Sequence, residues 1–344
     1  MNRVLLRCDA SRETGVGHVA RALALAEHLR AGGGEAVLCG RFTGGWVERR
    51  LADADVATVP AVDDETALVR LAVDQGADAI HLDHYGPLGT SPTLLAAAED
   101  AGVVVSNVAD FGFGVRPSHL EVNPNVGAGP RGSGRGAVEL LGPRYAMVAR
   151  RVVDARESRS AHVEPSDGPL RCVVVMGGTD PFGATGLAVE LLASAATRPV
   201  EATVVTPDHD ALAHRFGARQ GGLALRFVGP VDDLAATLRD ADLAVSAAGT
   251  TVLELCCIGV PSALVCVTEN QRRGYEAAVG DGLALGLGSP GAPAPDSRET
   301  LQGLVEDAAL RRRLAVAGRA AVDGDGSSRV LAAVADAVRS RAGR

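Results

Sequence analysis

The chain has 344 residues, enough for two domains that each bury a core, and its 47% hydrophobic content is that of a globular α/β protein. Net charge is −8 and no basic run stands out, which excludes nucleic acid as a natural partner. Every basic residue is arginine, which excludes Schiff-base chemistry and a P-loop lysine, and only 3% of residues are aromatic, so a planar base would rest on aliphatic side chains and backbone.

In chain order, the apolar run Arg3–Cys8 predicts a strand and Thr14-Gly15-Val16-Gly17-His18-Val19-Ala20-Arg21 a glycine turn entering a helix at about His18. Glycines there let backbone N–H groups approach a ligand, and a helix N-terminus favours negative charge. His18 stands at the mouth of that turn as the side chain suited to proton transfer near neutral pH. The spacing Gly15-x-Gly17-x-x-Ala20 also fits a dinucleotide fingerprint, but the second strand (Glu35 to Gly40) ends in Arg41 where NAD binding requires an acidic residue. Helix then follows over 45–54, strand over 56–59, helix over 65–75 and strand over 79–82. That strand leads into Asp83-His84-Tyr85-Gly86, where one polar group can orient His18 or a water. Helix over 92–101 and strands over 103–105 and 120–122 complete the half. Alternation of this kind predicts a parallel sheet covered on both faces, with ligands at the C-terminal strand ends. Arg7-Cys8-Asp9, the glycine turn and Asp83–Gly86 all fall at such ends.

Residues 127–136 read as a polar glycine loop and 154–169 as a charged interdomain linker. Alternation restarts with a strand over 170–176 ending in Gly177-Gly178-Thr179-Asp180, a second close-approach turn, and a helix over 184–195. Strands over 201–205, 223–228 and 243–245 alternate with helices near 208–218 and 231–239. Ser246-Ala247-Ala248-Gly249-Thr250-Thr251 opens a helix carrying Glu254, and the small residues with capping threonines suit a diphosphate. Glu254, one turn on, offers an acceptor for a ribose diol. Strand 261–267 precedes Asn270-Gln271, which can read sugar hydroxyls. Helices near 270–281, 298–318 and 326–341 end the chain, and the last, amphipathic, can pack back on the first domain. The domain limits expected are 1–153, 170–325 and a terminal helix 326–344.

Six cysteines without a C-x-x-C pair read as buried reduced thiols, no H-x-E or H-E-x-x-H pattern offers a metal site, and no cofactor is called for. No apolar run reaches the roughly 18 residues of a membrane span, so a cytoplasmic protein is expected.

Six motifs in register, Arg7–Ser11, Gly15–Arg21, Asp83–Gly86, Gly177–Asp180, Ser246–Glu254 and Asn270-Gln271, resemble the nucleotide-sugar hydrolases of the pseudaminic acid pathway (PseG type) and the spore-coat polysaccharide (SpsG) proteins. Those in turn are similar to MurG-like GT-B glycosyltransferases. The resemblance implies a GT-B-like α/β fold, two Rossmann-like doubly wound domains facing a central cleft, with a UDP-sugar between them. It implies Glu254 at the ribose, Gly249 to Thr251 with Ser246, Gly17, Gly178 and Thr179 around the nucleotide and diphosphate, and Val228 near the base. It places His18, Tyr85 and Asp9 in catalysis, and Arg7, Arg21, Asn270 and Gln271 at the sugar. The expected reaction is hydrolysis of the anomeric C–O bond with His18 as base for water. The alternative is inverting transfer to a non-water acceptor through the same residues. A third reading, from another class, is a catalytically idle protein that binds a nucleotide-sugar or NADP.

Overall fold

The computed structural model describes residues 1–11, 15–111, 113–130, 137–159, 168–178, 180 and 182–343. It divides into two compact units, Met1–Arg150 with Gly324–Arg344, and Arg151–Asp323.

In the first unit, strands and helices alternate as β1 (Arg3–Cys8), α1 (Gly17–Ala31), β2 (Glu35–Gly40), α2 (Gly45–Asp53), β3 (Ala57–Pro60), α3 (Glu65–Asp74), β4 (Ala79–Asp83) and α4 (Thr93–Asp100). Strands β5 (Val104–Val108), β6 (Leu120–Asn123) and β7 (Val138–Leu141) follow. All seven pair in parallel in the order β3-β2-β1-β4-β5-β6-β7. One face buries Val4, Leu6, Ala79, Val104 and Leu120 under α1; the other buries Leu5, Ile80, Leu82 and Val105 under α3 and α4. The order reverses between β1 and β4, and in an open sheet that reversal opens a crevice at the carboxyl ends of the two strands. Asp9 directly follows β1 and Asp83 ends β4.

The second unit begins with α5 (Arg150–Ser158), so the first five residues of the expected linker are helix, and α5 is anchored by buried Val152 and Ala155. Then come β8 (Leu170–Val175), α6 (Ala184–Ala195), β9 (Val200–Val205), α7 (His209–Phe216), β10 (Arg219–Gln220), β11 (Leu223–Val228), α8 (Leu234–Arg239) and β12 (Leu243–Ala247). Next are α9 (Thr251–Ile258), β13 (Ser262–Val265), α10 (Arg272–Gly280) and β14 (Leu285–Gly286), and, beyond a small ribbon, α11 (Ser297–Glu306) and α12 (Ala308–Ala321). The sheet runs β10-β11-β9-β8-β12-β13-β14, antiparallel only at β10. Its order reverses between β8 and β12, the strands that end in Gly177–Asp180 and Ser246–Thr251. The single helix expected over 298–318 is broken at Asp307, which is extended (φ −90°, ψ 99°) and caps α12 by accepting from Leu310 N–H.

The terminal helix α13 (Gly326–Ala342) lies in the first unit, with Val330 and Val334 buried in the core beneath α1. Its start is tight: a Cβ on Gly326 would sit 2.2 Å from the Ala146 carbonyl oxygen. Near its end Arg341 meets His119 Nε2 at 2.7 Å. Among the described residues no helix is long and apolar enough to cross a membrane, no cluster of ligating side chains could hold a metal, and all six cysteines are buried free thiols.

Candidate active site

In the first unit the site is built on a buried carboxylate. Asp83 ends β4 beside Cys8 of β1, under the first turn of α1. His18 Nδ1 lies 2.6 Å from its Oδ1. Arg21, one turn along the same helix face, donates from Nε to Oδ2 and from Nη2 to Oδ1, both at 2.7 Å. Burial opposes the charge on Asp83, but the Arg21 guanidinium and His18 outweigh it and hold the carboxyl far below the usual carboxylate range. Nδ1 also lies 3.2 Å from Arg21 Nη2, but its shorter contact is with a carboxylate that only accepts, which assigns the proton to Nδ1 and, in the neutral ring, the lone pair to Nε2. Nε2 makes no hydrogen bond with the described residues.

Arg21 continues inward. Its Nη2 is 3.2 Å from Asp110 Oδ2, and Asp110 also accepts from the Tyr85 hydroxyl and, at 2.8 Å, from Asn125 Nδ2. Burial lowers the pKa of Arg21, yet Asp110 and Asp83 reverse that and drive it well above the ordinary arginine value. Tyr85 is pushed up, first by burial and then by the Asp110 charge, so its hydroxyl stays a donor. The Tyr85 ring meets His18 edge-on, with centroids 4.5 Å apart.

Other expected residues are held elsewhere. Asp9 does not pair with His18. It accepts from Arg7 at 2.7 Å and from the Arg41 backbone N–H at 2.8 Å, and faces His84 Nε2 at 3.4 Å. Burial works against its charge, but His84 and Arg7 hold it below the carboxylate range. Arg7 is wholly buried and paired with Asp9 and Asp63, and Arg21 is buried and paired with Asp83 and Asp110, rather than standing open at a strand end as the sugar contacts expected. Gly17 is the first residue of α1, which has no side-chain cap. Asp110 and Asn125 are absent from the sequence expectations, although Asp110 stands just past the end of β5 as Asp83 stands at the end of β4.

In the second unit Gly177 (φ +88°) turns the chain out of β8 and Gly178 is exposed, whereas Thr179 lies outside the described residues. Asp180, at φ +36°, caps α6 by accepting from Ala184 N–H, Thr185 N–H and the Thr185 hydroxyl. Ser246 is fully buried, and its hydroxyl donates to the Ala247 carbonyl. Thr250 and Thr251 are half-buried at the start of α9, and the expected threonine cap is not made; in the first turn Val252 N–H donates to the Gly249 carbonyl at 3.1 Å and Leu253 N–H to the Thr250 carbonyl at 3.0 Å. Gln271 is held by the Val267 N–H on Oε1, and its Nε2 faces Gly249, 3.5 Å from where a Cβ would stand. Asn270 bonds the Thr268 hydroxyl at 2.5 Å. Glu254 is half-buried without a hydrogen bond to the described residues, and burial, partly offset by Arg151, pushes its carboxyl up. Val228 is half-buried at the end of β11.

No family model matches the chain. It is 25% identical over 342 residues to the spore coat polysaccharide biosynthesis protein SpsG of Bacillus subtilis (strain 168), covering 95% of this chain and 96% of that one. The SpsG resemblance carried by the motifs thus extends over nearly the whole length. Among solved structures it is similar to Acinetobacter baumannii MurG (TM-score 0.68, 17% identity, 98% of this chain and 100% of that one). It is also similar to the glycosyltransferase VinC in complex with dTDP (TM-score 0.62, 15% identity, 98% and 99%). These likenesses, with two parallel Rossmann-like sheets in one chain, show the GT-B fold.

Proposed function

We propose that the protein is an enzyme that transfers a glycosyl group from a nucleoside-diphosphate sugar to a hydroxyl or amine acceptor. The observation that carries this is His18, fixed through Nδ1 on the buried Asp83 while Nε2 stays unengaged by the described residues. Such an imidazole takes a proton from an attacking nucleophile. The acceptor oxygen or nitrogen forms its bond to the anomeric carbon, the bond from that carbon to the diphosphate oxygen breaks with its electron pair, and the acceptor proton ends on Nε2. The second unit would hold the leaving diphosphate through Gly249, Thr250, Thr251 and Gln271, with Glu254 on the ribose. The polysaccharide role in the name of SpsG, and the transferase with bound dTDP, support a donor of this class.

Hydrolysis is the second reading, favoured by the PseG-type motifs. It differs only in placing water at Nε2. Incubation with UDP- and dTDP-sugars, with and without acceptors, separates the two. Nucleotide release only when an acceptor is present is the expected result, release at the same rate without one makes the enzyme a hydrolase, and no release with any donor refutes both.

A further inference from the structure

We propose that Tyr85, Phe113 and Val115 form an acceptor wall beside His18 that takes a hydroxyl-bearing ring compound with an apolar face. The proposal rests on the glycosyl-transfer reading and deepens it by naming the acceptor class.

The sequence contains one Trp, three Tyr and six Phe, so large apolar rings are scarce. Two of them stand exposed at the candidate base: Tyr85 is 42% and Phe113 41% accessible, with Val115 at 44% two residues on. The ring centroids of Tyr85 and Phe113 are 5.7 Å apart at 49°, and Tyr85 in turn touches His18. An apolar patch open to solvent costs hydrophobic free energy unless a partner covers it. Water as nucleophile needs no such surface. A ring compound does, because stacking orients its hydroxyl toward the base and displaces competing water.

Hydrogen bonds tie the wall into the fold. Asp110 N–H donates to the Phe113 carbonyl at 2.9 Å and Phe113 N–H to the Asp110 carbonyl at 3.0 Å, closing a tight turn. Inside it Phe111 is held at φ +56°, a conformation that a bulky residue adopts only where its surroundings enforce it. Gly114 has φ +71°, and its Cβ would fall 2.8 Å from the Val108 carbonyl oxygen. Its carbonyl accepts from Asn107 Nδ2 at 2.7 Å and Arg116 Nη1 at 2.8 Å. Asp110 therefore positions both rings, Phe113 through its backbone and Tyr85 through its carboxylate.

Saturation-transfer NMR tests the wall without needing turnover, with methyl β-D-glucopyranoside and 2-naphthol as separate probes in the presence of UDP. Transfer to the ring protons of either probe, lost in Phe113→Ala and Phe113→Leu but kept in Phe113→Tyr, is expected. The pyranoside arm assigns a sugar acceptor and the naphthol arm a flat aglycone. With a turned-over donor, Phe113→Ala should raise the acceptor KM about 10-fold, the change produced by ~1.4 kcal/mol. Binding of neither probe, or equal binding by wild type and both ring-deleting variants, overturns the wall. Probe binding without nucleotide release from any donor would refute glycosyl transfer and leave the wall standing; release with an unchanged KM in Phe113→Ala would do the opposite. Phe113→Leu keeps the test valid if Phe113→Ala fails to fold.

Discussion

Asp83→Asn is the sharpest test of the candidate base, because it changes one atom of the side chain and leaves its shape. Asp83 accepts three charge-assisted hydrogen bonds, one from His18 at 2.6 Å and two from Arg21 at 2.7 Å each. An asparagine has one oxygen to offer. If that oxygen stays toward His18, the new NH2 points at Arg21 Nε–H, donor against donor. If the amide flips, the NH2 faces His18 Nδ1 and forces the proton onto Nε2, which removes the lone pair that would accept the nucleophile's proton. The first arrangement keeps the contacts from His18 Nδ1 and Arg21 Nη2 and loses that from Nε, whereas the flip keeps only that from Nε and sets the NH2 against Nη2 too; either way the carboxylate charge that supports a protonated imidazole is gone.

Two magnitudes follow. Weakening a buried ion pair at a site that is 1% exposed should cost about 3 kcal/mol of stability. Loss of a correctly oriented base should lower kcat between about 10²- and 10⁴-fold. Nucleotide affinity, assigned to the second unit, should hold within a factor of about three. The assays are nucleotide release under saturating donor and acceptor, calorimetric titration with UDP or dTDP, and thermal melting. Ring ¹⁵N shifts of His18 report the tautomer directly. A variant that is folded, binds nucleotide and keeps kcat within a factor of about three would refute Asp83 as the group that orients the base.

Glu254→Ala should raise the donor KM about 10-fold with little change in kcat, since a ribose contact is made equally in ground and transition states; initial rates against donor concentration check it. Alkaline difference absorbance should find Tyr85 still un-ionised above the ordinary tyrosine value of about 10, because burial and Asp110 both raise it. Asp83 and Asp9 are both depressed in the folded state, so their contribution to stability is fully present above the unfolded carboxylate value of about 4 and is lost as pH falls below it; melting between about pH 5 and about pH 2 should show that slope reduced in Asp83→Asn. Gly40→Ala would place a Cβ 1.8 Å from the Cys8 carbonyl oxygen, forcing β1 and β2 apart at a cost of about 3 kcal/mol or more, visible as a lowered melting temperature.

Much of the fold is legible because its elements carry clean periods. Glu35–Gly40, Ala184–Ala195 and Leu223–Val228 occur as the pattern of apolar residues predicts. The failures share a cause, a polar residue doing a tertiary job inside an element. Ser106 and Asn107 interrupt the apolar run at 103–105, so the sequence ends that strand early. In the fold β5 continues to Val108, with the Ser106 hydroxyl on His81 Nδ1 and Asn107 between Gly114 and Arg116. Ending the strand at 105 hid Asp110 from the strand-end rule that picks out Asp83. Likewise Asp307 is read as a helix interior residue, although its carboxylate caps the next helix. The edge strand Val138–Leu141 was obscured by the glycine-rich residues before it.

Arg7 and Arg21 are engaged in ion pairs that the sequence does not announce, for an instructive reason. From sequence, an arginine at a strand end or in the first turn of a helix beside a glycine loop reads as a ligand contact, because nothing local tells which carboxylates will surround it. Two buried carboxylates near one imidazole, Asp83 and Asp110, could not both ionise in a dry site by themselves; one would take up a proton and become a donor. A protonated Asp83 could leave His18 Nδ1 as the acceptor and its proton on Nε2, the wrong tautomer for a base. Arg21, planar and always charged, spans both carboxylates through Nε and Nη2 in a way a lysine could not. Its function is thus exerted two bonds away from any substrate: it keeps Asp83 an acceptor, Asp83 keeps Nδ1 a donor, and that order leaves Nε2 as the basic nitrogen.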